Sequence, residues 1–373
     1  MACDVEHSKW MQLALELARR GRGAVEPNPM VGAVIVRDGQ VIGQGWHEKY
    51  GGPHAEPNAV RAAWAAGFDP AGATMYVTLE PCSHHGKTPP CADLLIQQKL
   101  ARVVIAHPDP DRQVNGGGIA RLRAAGIDVQ VGCCQAQARV LLREYLTLRT
   151  LQRPWVICKW AQTADGYLAL PPEDGRWISC EESRRQVHQL RAICDAILVG
   201  IGTVLADDPL LTNRSGAGKT LTRVVLDSRL RIPLDSQLVQ SAAASPLLVV
   251  CDMQAQTNRQ DDLRAAGAEV LALPAPGGRI DLQALLGWMG DRQWTRLLVE
   301  GGAQVHRSFL AAGLADQVQA YEAPLRIGPG RENLPQLDVA QLGLEHLQRR
   351  PSGCDSLHEA VLGIGSEHFL RNL

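Results

Sequence analysis

The sequence predicts an α/β protein of two domains in tandem, and three observations carry that reading. A chain of 373 residues exceeds what one hydrophobic core usually serves. Strand-length apolar runs alternate with helix-length stretches from end to end, which implies sheets covered by helices on both faces. Arg153-Pro154 breaks that alternation after a helical stretch at 135–148, so the boundary falls near 150, between domains 1–149 and 150–373.

In the first domain, Ser8 is expected to cap a helix that carries Trp10, Ala14 and Leu17 on one face and ends at Gly21. The runs Val31 to Val36 and Val41 to Trp46 meet at Asp38-Gly39, a strong hairpin signal. A helix over 56–66 follows, with Pro57 in its first turn and Gly67 closing it. Strands at 74–79, 102–106 and 127–131 alternate with helices that begin near Cys91 and cover 119–125. The second domain opens with a strand at 155–160. It continues with strands at 196–199, 222–226, 247–250, 269–273 and 296–299, and helices begin near Glu181 and Ala303.

Charge narrows the function classes. With 38 Lys and Arg against 39 Asp and Glu, the formal net charge is −1, which leaves no basic surplus for a phosphodiester backbone and argues against a nucleic-acid partner. The start, Met-Ala-Cys-Asp-Val-Glu-His-Ser, is neither cationic nor apolar, and no run reaches the length of a membrane span, so the expected location is the cytoplasm. Oligomeric state is left open, a homo-oligomer being compatible with everything in the sequence. Most of the ten scattered cysteines read as reduced, buried small hydrophobes; Cys82 and Cys91 stand apart.

Those two belong to a constellation. Pro53-His54-Ala55-Glu56 opens a helix, Glu80-Pro81-Cys82 ends a strand, and Pro90-Cys91 opens the next helix. One imidazole and two thiolates suit a catalytic Zn2+ that keeps a fourth position for water, and Glu56 is the spare carboxylate that would relay a proton to a departing amine. H-x-E paired with P-C and a second cysteine is the signature of zinc nucleobase deaminases. Eight residues, rather than two, separate Cys82 from Cys91. A structural zinc with His84 or His85 as fourth ligand is the competing reading, and it gives Glu56 no reason to lie beside His54.

Pro27-Asn28-Pro29-Met30-Val31-Gly32-Ala33-Val34, Gly45-Trp46-His47, Gly52-Pro53-His54-Ala55-Glu56 and the whole run Thr78 to Cys91, long insert included, resemble the bifunctional deaminase/reductase family of riboflavin biosynthesis. The resemblance covers nearly the whole chain and thins after about residue 330. It implies a cytidine-deaminase-like, three-layer α/β/α domain followed by a dihydrofolate-reductase-like α/β domain. The first would use one Zn2+ to deaminate a small pyrimidine nucleotide, 2,5-diamino-6-ribosylamino-4(3H)-pyrimidinone 5′-phosphate. The second would use NADPH to reduce the ribosyl group of the product to ribityl. Glu56 becomes the proton shuttle, His54, Cys82 and Cys91 the ligands, and Asn28 and His47 line the pyrimidine pocket, against the plainer reading of a turn-capping Asn and a solvated His.

In the second domain, the strand Leu297 to Val299 runs into Glu300-Gly301-Gly302 and a helix, which is either a pyrophosphate approach or a plain turn. Similarity to the family's Gly200 to Pro209, Val225 to Ser228 and Val299 to Gly302 segments implies NADPH contacts from Ala161, Trp177, Thr203, Asp207, Ser228, Gly302, Ala303, Gln304, Val305, His306, Arg307 and Ser308. Arg191, Leu211, Arg214 and Glu300 are implied to contact substrate, the two guanidinium forks suiting a ribose 5′-phosphate. Gly175, Thr163-Ala164 and Leu325 depart from the pattern. The alternative is a deaminase whose C-terminal domain is inactive or only binds.

Overall fold

Asp38 and Gly39 both take positive φ, 50° and 70°, the conformation a two-residue hairpin turn demands. They join β1 (Gly32–Arg37) to β2 (Gln40–Trp46), with Ala33 opposite Gly45 and Arg37 opposite Gln40. The computed structural model describes residues 4–83, 89–111, 114–175, 177–216, 218–331 and 333–363. His84 and His85 lie outside the described residues.

The chain divides into two units, residues 1–151 and 152–373. In the first, α1 (Val5–Arg19) precedes the hairpin, and α2 (Ala55–Ala65), β3 (Thr74–Val77), α3 (Cys91–Gln97), β4 (Arg102–Ile105), α4 (Gly117–Ala124), β5 (Asp128–Val131) and α5 (Gln135–Leu151) follow. The sheet order is β2-β1-β3-β4-β5, with β1 antiparallel to its neighbours and β3, β4 and β5 parallel. Ala33, Ile35, Met75, Val77, Val103 and Ile105 point to one face and share a buried core with Ala55, Ala59, Leu95 and Leu122 of α2, α3 and α4. The helix α1 lies on β1 and touches α5. It begins a turn earlier than predicted, because Asp4 stands at its N-cap and Ser8 already donates its N–H to the Asp4 carbonyl (2.9 Å).

The second unit contains β6 (Trp155–Thr163), α6 (Glu181–Ile193), β7 (Ala196–Gly200), α7 (Ile201–Asp207), β8 (Thr222–Leu226), α8 (Gln237–Gln240), β9 (Leu247–Asp252), α9 (Thr257–Ala265), β10 (Glu269–Leu273), α10 (Leu282–Asp291), β11 (Arg296–Val299), α11 (Ala303–Ala311), β12 (Gln317–Ala323), β13 (Gln348–Ser352) and β14 (Asp355–Val361). Its nine-stranded order is β10-β9-β8-β7-β11-β6-β12-β14-β13. Seven strands, β10 through β12, run parallel, and β14 and β13 add an antiparallel edge. The parallel strands are apolar without interruption where both faces are covered, as in Ala196–Gly200 and residues 247–251 of β9. No helix among the described residues is long and apolar enough to cross a membrane.

Candidate active sites

In the first unit the site sits where α2 and α3 begin. His54 is the N-cap of α2, Glu56 lies in its first turn, and Cys91 is the first residue of α3. Cys82 follows β3 on a loop held by Glu80. The buried Glu80 carboxylate accepts the N–H groups of Asp109, Gly116 and Ile119, each at 3.1 Å. His54 Nδ1 is 3.7 Å from Cys82 Sγ and 3.4 Å from Cys91 Sγ, and the three atoms all lie within 4.8 Å of one another. A tetrahedral zinc with ordinary Zn–S and Zn–N bonds separates such atoms by about 3.6 Å, so this donor set fits the ion. The Cys91 N–H donates to Cys82 Sγ (3.3 Å).

Electrostatics follow from this packing. The Cys91 thiol, donating to Cys82, does most to hold the Cys82 pKa down, to about 4, and the same contact pushes Cys91 up. Glu56 is 3% exposed, and burial raises its carboxyl to about 7. Beside the triad, His47 is buried with its ring 5.4 Å from that of His54. Burial also lowers the His47 pKa. The Pro53 carbonyl can only accept, so it fixes the proton on His47 Nδ1 (2.9 Å) and leaves Nε2 to accept from Asn28 Nδ2 (3.3 Å). Asn28 and His47 are therefore one hydrogen-bonded pair next to the three donors.

In the second unit the predicted residues gather at the carboxyl ends of parallel strands, where open α/β sheets place their ligands. Ala161 is on β6, Thr203 on α7 after β7, Ser228 just beyond β8, and Glu300 just beyond β11. Gly302 caps α11, and its N–H donates to Thr203 Oγ1 (3.2 Å), which brings the two glycine-bearing turns together. The first N–H groups of α11 have no acceptor within the helix, which suits the phosphates of a dinucleotide.

Arg191 and Glu300 form a bidentate pair, Nε to Oε1 at 2.9 Å and Nη2 to Oε2 at 2.8 Å, and Arg191 Nη1 donates to the Thr212 carbonyl (2.9 Å). Three of the five guanidinium N–H groups are thus engaged within the protein. Burial works against the Glu300 carboxylate, but Arg191 and Lys159 beside it hold its pKa at about 2. Lys159 Nζ lies 3.9 Å from Glu300, and burial lowers the lysine pKa.

Lys159 was not among the predicted residues. It stands in the strand pattern Trp155–Thr163 as one cation in an apolar run, which was its only signal.

The remaining predicted residues are less convergent. Trp177 is exposed under the Arg184 guanidinium, Leu211 is buried, Arg214 lies on an exposed loop, and Asp207 ends α7. Along α11, Gln304 and Arg307 are exposed, with Arg307 bound to the Gln336 carbonyl (2.7 Å), Ser308 bonds back to Gln304, and Ala303 and Val305 are largely packed. The His306 ring is sealed at 0% exposure against Trp160, 5.1 Å away, and burial takes its pKa to about 3.

The two sites define a deaminase unit joined to a reductase unit. Residues 4–107 match the cytidine and deoxycytidylate deaminase zinc-binding region, and residues 154–356 match the RibD C-terminal domain. The riboflavin biosynthesis protein RibD of Escherichia coli K12 is 39% identical over 352 residues, 92% of this chain and 93% of the relative. That of Aquifex aeolicus is 39% identical over 340 residues, 91% of each. Among solved structures, Acinetobacter baumannii RibD aligns with a TM-score of 0.79 at 34% identity, over 95% of this chain and 98% of that one. A Thermotoga maritima diaminohydroxyphosphoribosylaminopyrimidine deaminase/5-amino-6-(5-phosphoribosylamino)uracil reductase aligns at 0.80 with the same identity and coverage. The chain belongs to the RibD family, the bifunctional deaminase/reductases of riboflavin biosynthesis.

Proposed function

We propose that the first unit hydrolytically deaminates 2,5-diamino-6-ribosylamino-4(3H)-pyrimidinone 5′-phosphate and that the second reduces the ribosyl group of the product, 5-amino-6-(5-phosphoribosylamino)uracil, with NADPH. The observation that carries the reading is the meeting of His54, Cys82 and Cys91 around one point with Glu56 buried two residues from His54. His54, Cys82 and Cys91 would hold Zn2+, which supplies a Lewis acid able to make water nucleophilic near neutral pH. Glu56 takes a proton on one side of the reaction and returns it to the leaving amine on the other. The Asn28–His47 pair offers fixed polar atoms to the pyrimidine.

In the second unit, NADPH would lie along the turns of Thr203 and Gly302 and supply the hydride. Glu300, kept ionised by Arg191, has lone pairs left for ribose hydroxyls. The two uncommitted N–H groups of Arg191 and the Arg214 fork take the 5′-phosphate. A small pyrimidine nucleotide as substrate, no nucleic-acid or membrane partner, and a cytoplasmic location complete the proposal.

The test is to incubate the purified protein with the diaminopyrimidinone phosphate, with and without NADPH, and identify the products. The aminouracil ribosyl phosphate is expected alone, and the ribityl product with matching NADPH consumption. A deaminated product left unreduced by NADPH would instead favour a binding-only second unit.

A further inference from the structure

The hairpin β13–β14 closes on Gly353-Cys354, with Ser352 opposite Asp355. This turn is pressed onto the start of α6. A Cβ built on Gly353 would lie 2.8 Å from Cys180 Sγ and 2.9 Å from Glu182 Cβ, and its φ is 62°. Glycine alone tolerates both the approach and the dihedral, so the backbone delivers Cys354 to Cys180.

Cys180 Sγ, Cys354 Sγ and a carboxylate oxygen of Asp355 lie within 4.8 Å of one another. Asp355 is 3% exposed, a buried carboxylate with one oxygen already oriented: Oδ2 accepts the Cys180 N–H (2.8 Å) and the Ser183 hydroxyl (2.6 Å). Its other oxygen, Oδ1, faces the Cys354 thiol at 3.7 Å. Cys180 is half-buried, Cys354 exposed, and both are free thiols, so the cluster opens to solvent.

We propose that Cys180, Cys354 and Asp355 form a second metal site, for a thiophilic divalent cation of the zinc class with water in the fourth position. Two thiolates and one carboxylate favour such an ion over magnesium or calcium. The 3.7 Å separation of sulfur and oxygen matches a tetrahedral edge of about 3.6 Å. The Cys180 N–H and Ser183 hydroxyl on Oδ2 are the outer partners that orient a ligating carboxylate. Binding releases two protons, the one Cys180 now gives to the Ser352 carbonyl (3.3 Å) and the one Cys354 gives to Asp355. The bound ion would tie the N-cap of α6, the helix that carries Arg191, to the antiparallel edge of the sheet.

The test uses metal-stripped full-length protein, kept reduced and anaerobic and titrated with Cd2+, with the thiolate-to-metal absorption band and proton release followed together. Wild type is expected to take up two equivalents, Cys354→Ser one, Cys82→Ser one, and the double variant none. Asp355→Asn, which keeps both thiols, is expected to weaken the second equivalent at least tenfold. A single equivalent in wild type that Cys82→Ser removes, or two equivalents retained by Cys354→Ser, overturns the proposal. So does a Cys180–Cys354 disulfide found by mass spectrometry in protein prepared this way. Loss of the deaminase-site equivalent alone would count against the first reading and leave this one standing.

Discussion

Glu56 is the side chain whose removal should separate metal binding from chemistry. Its carboxylate is not one of the three donors that meet, so Glu56→Gln keeps the shape of the site and loses the proton relay. Deamination should fall by about 10²–10⁴-fold with zinc content unchanged by metal analysis; near-normal turnover would remove the relay role. Glu300 makes a different prediction, because its charge is balanced by neighbours. Glu300→Gln leaves Arg191 and Lys159 uncompensated in a largely buried setting, at a cost of about 3–5 kcal/mol in urea unfolding at neutral pH. The sign with pH is fixed: the folded pKa, about 2, lies below the ordinary 4.5. The stabilisation is therefore complete above the ordinary value and is lost as pH falls toward the folded one. The gap between wild type and Glu300→Gln should narrow across that window, and a constant gap would mean that the carboxylate charge is not what stabilises.

At the scale of elements, the site depends on how closely α2 lies on β2. A Cβ on Gly45 would meet Ala59 N at 2.5 Å, Asn58 Cβ at 2.7 Å and the Ala55 carbonyl at 2.8 Å, mostly backbone that cannot turn aside. Gly45→Ala should lift the start of α2, costing about 1–3 kcal/mol by thermal unfolding and loosening zinc, since His54 rides on that end. Unchanged zinc affinity would show that α2 shifts without moving its N-cap. What the sequence reveals follows the same geometry. The meeting of His54, Cys82 and Cys91 was legible because each follows a proline at a helix start or on the loop after β3, and β1–β2 because Asp-Gly allows one turn. β12 and the antiparallel edge beyond it were not: β12 mixes Gln and Glu with apolar residues, and β13 is almost wholly exposed and contains Pro351, so neither reads as a core strand. Lys159 was hidden for the opposite reason, in a strand whose apolar neighbours announce only burial.

At the scale of the molecule, each unit closes its own core. One is built on Ile35, Met75, Val103 and Leu122, the other on Val156, Leu198, Val250, Leu297 and Phe309. Each has its own sheet, and each site is built from residues of its own unit. Damage at one site should therefore leave the other working, as expected for groups with no shared partners. Cys82→Ser removes one of the three donor atoms that meet and should abolish deamination of the diaminopyrimidinone phosphate. Supplied directly with 5-amino-6-(5-phosphoribosylamino)uracil, the same variant should oxidise NADPH at the wild-type rate. Conversely, Glu300→Gln should slow that oxidation and leave deamination intact. Following both half-reactions in both variants gives four rates. If Cys82→Ser lost NADPH oxidation in proportion to deamination while its fold was preserved by circular dichroism, the two units would have to be read as one coupled catalyst rather than two enzymes on one chain.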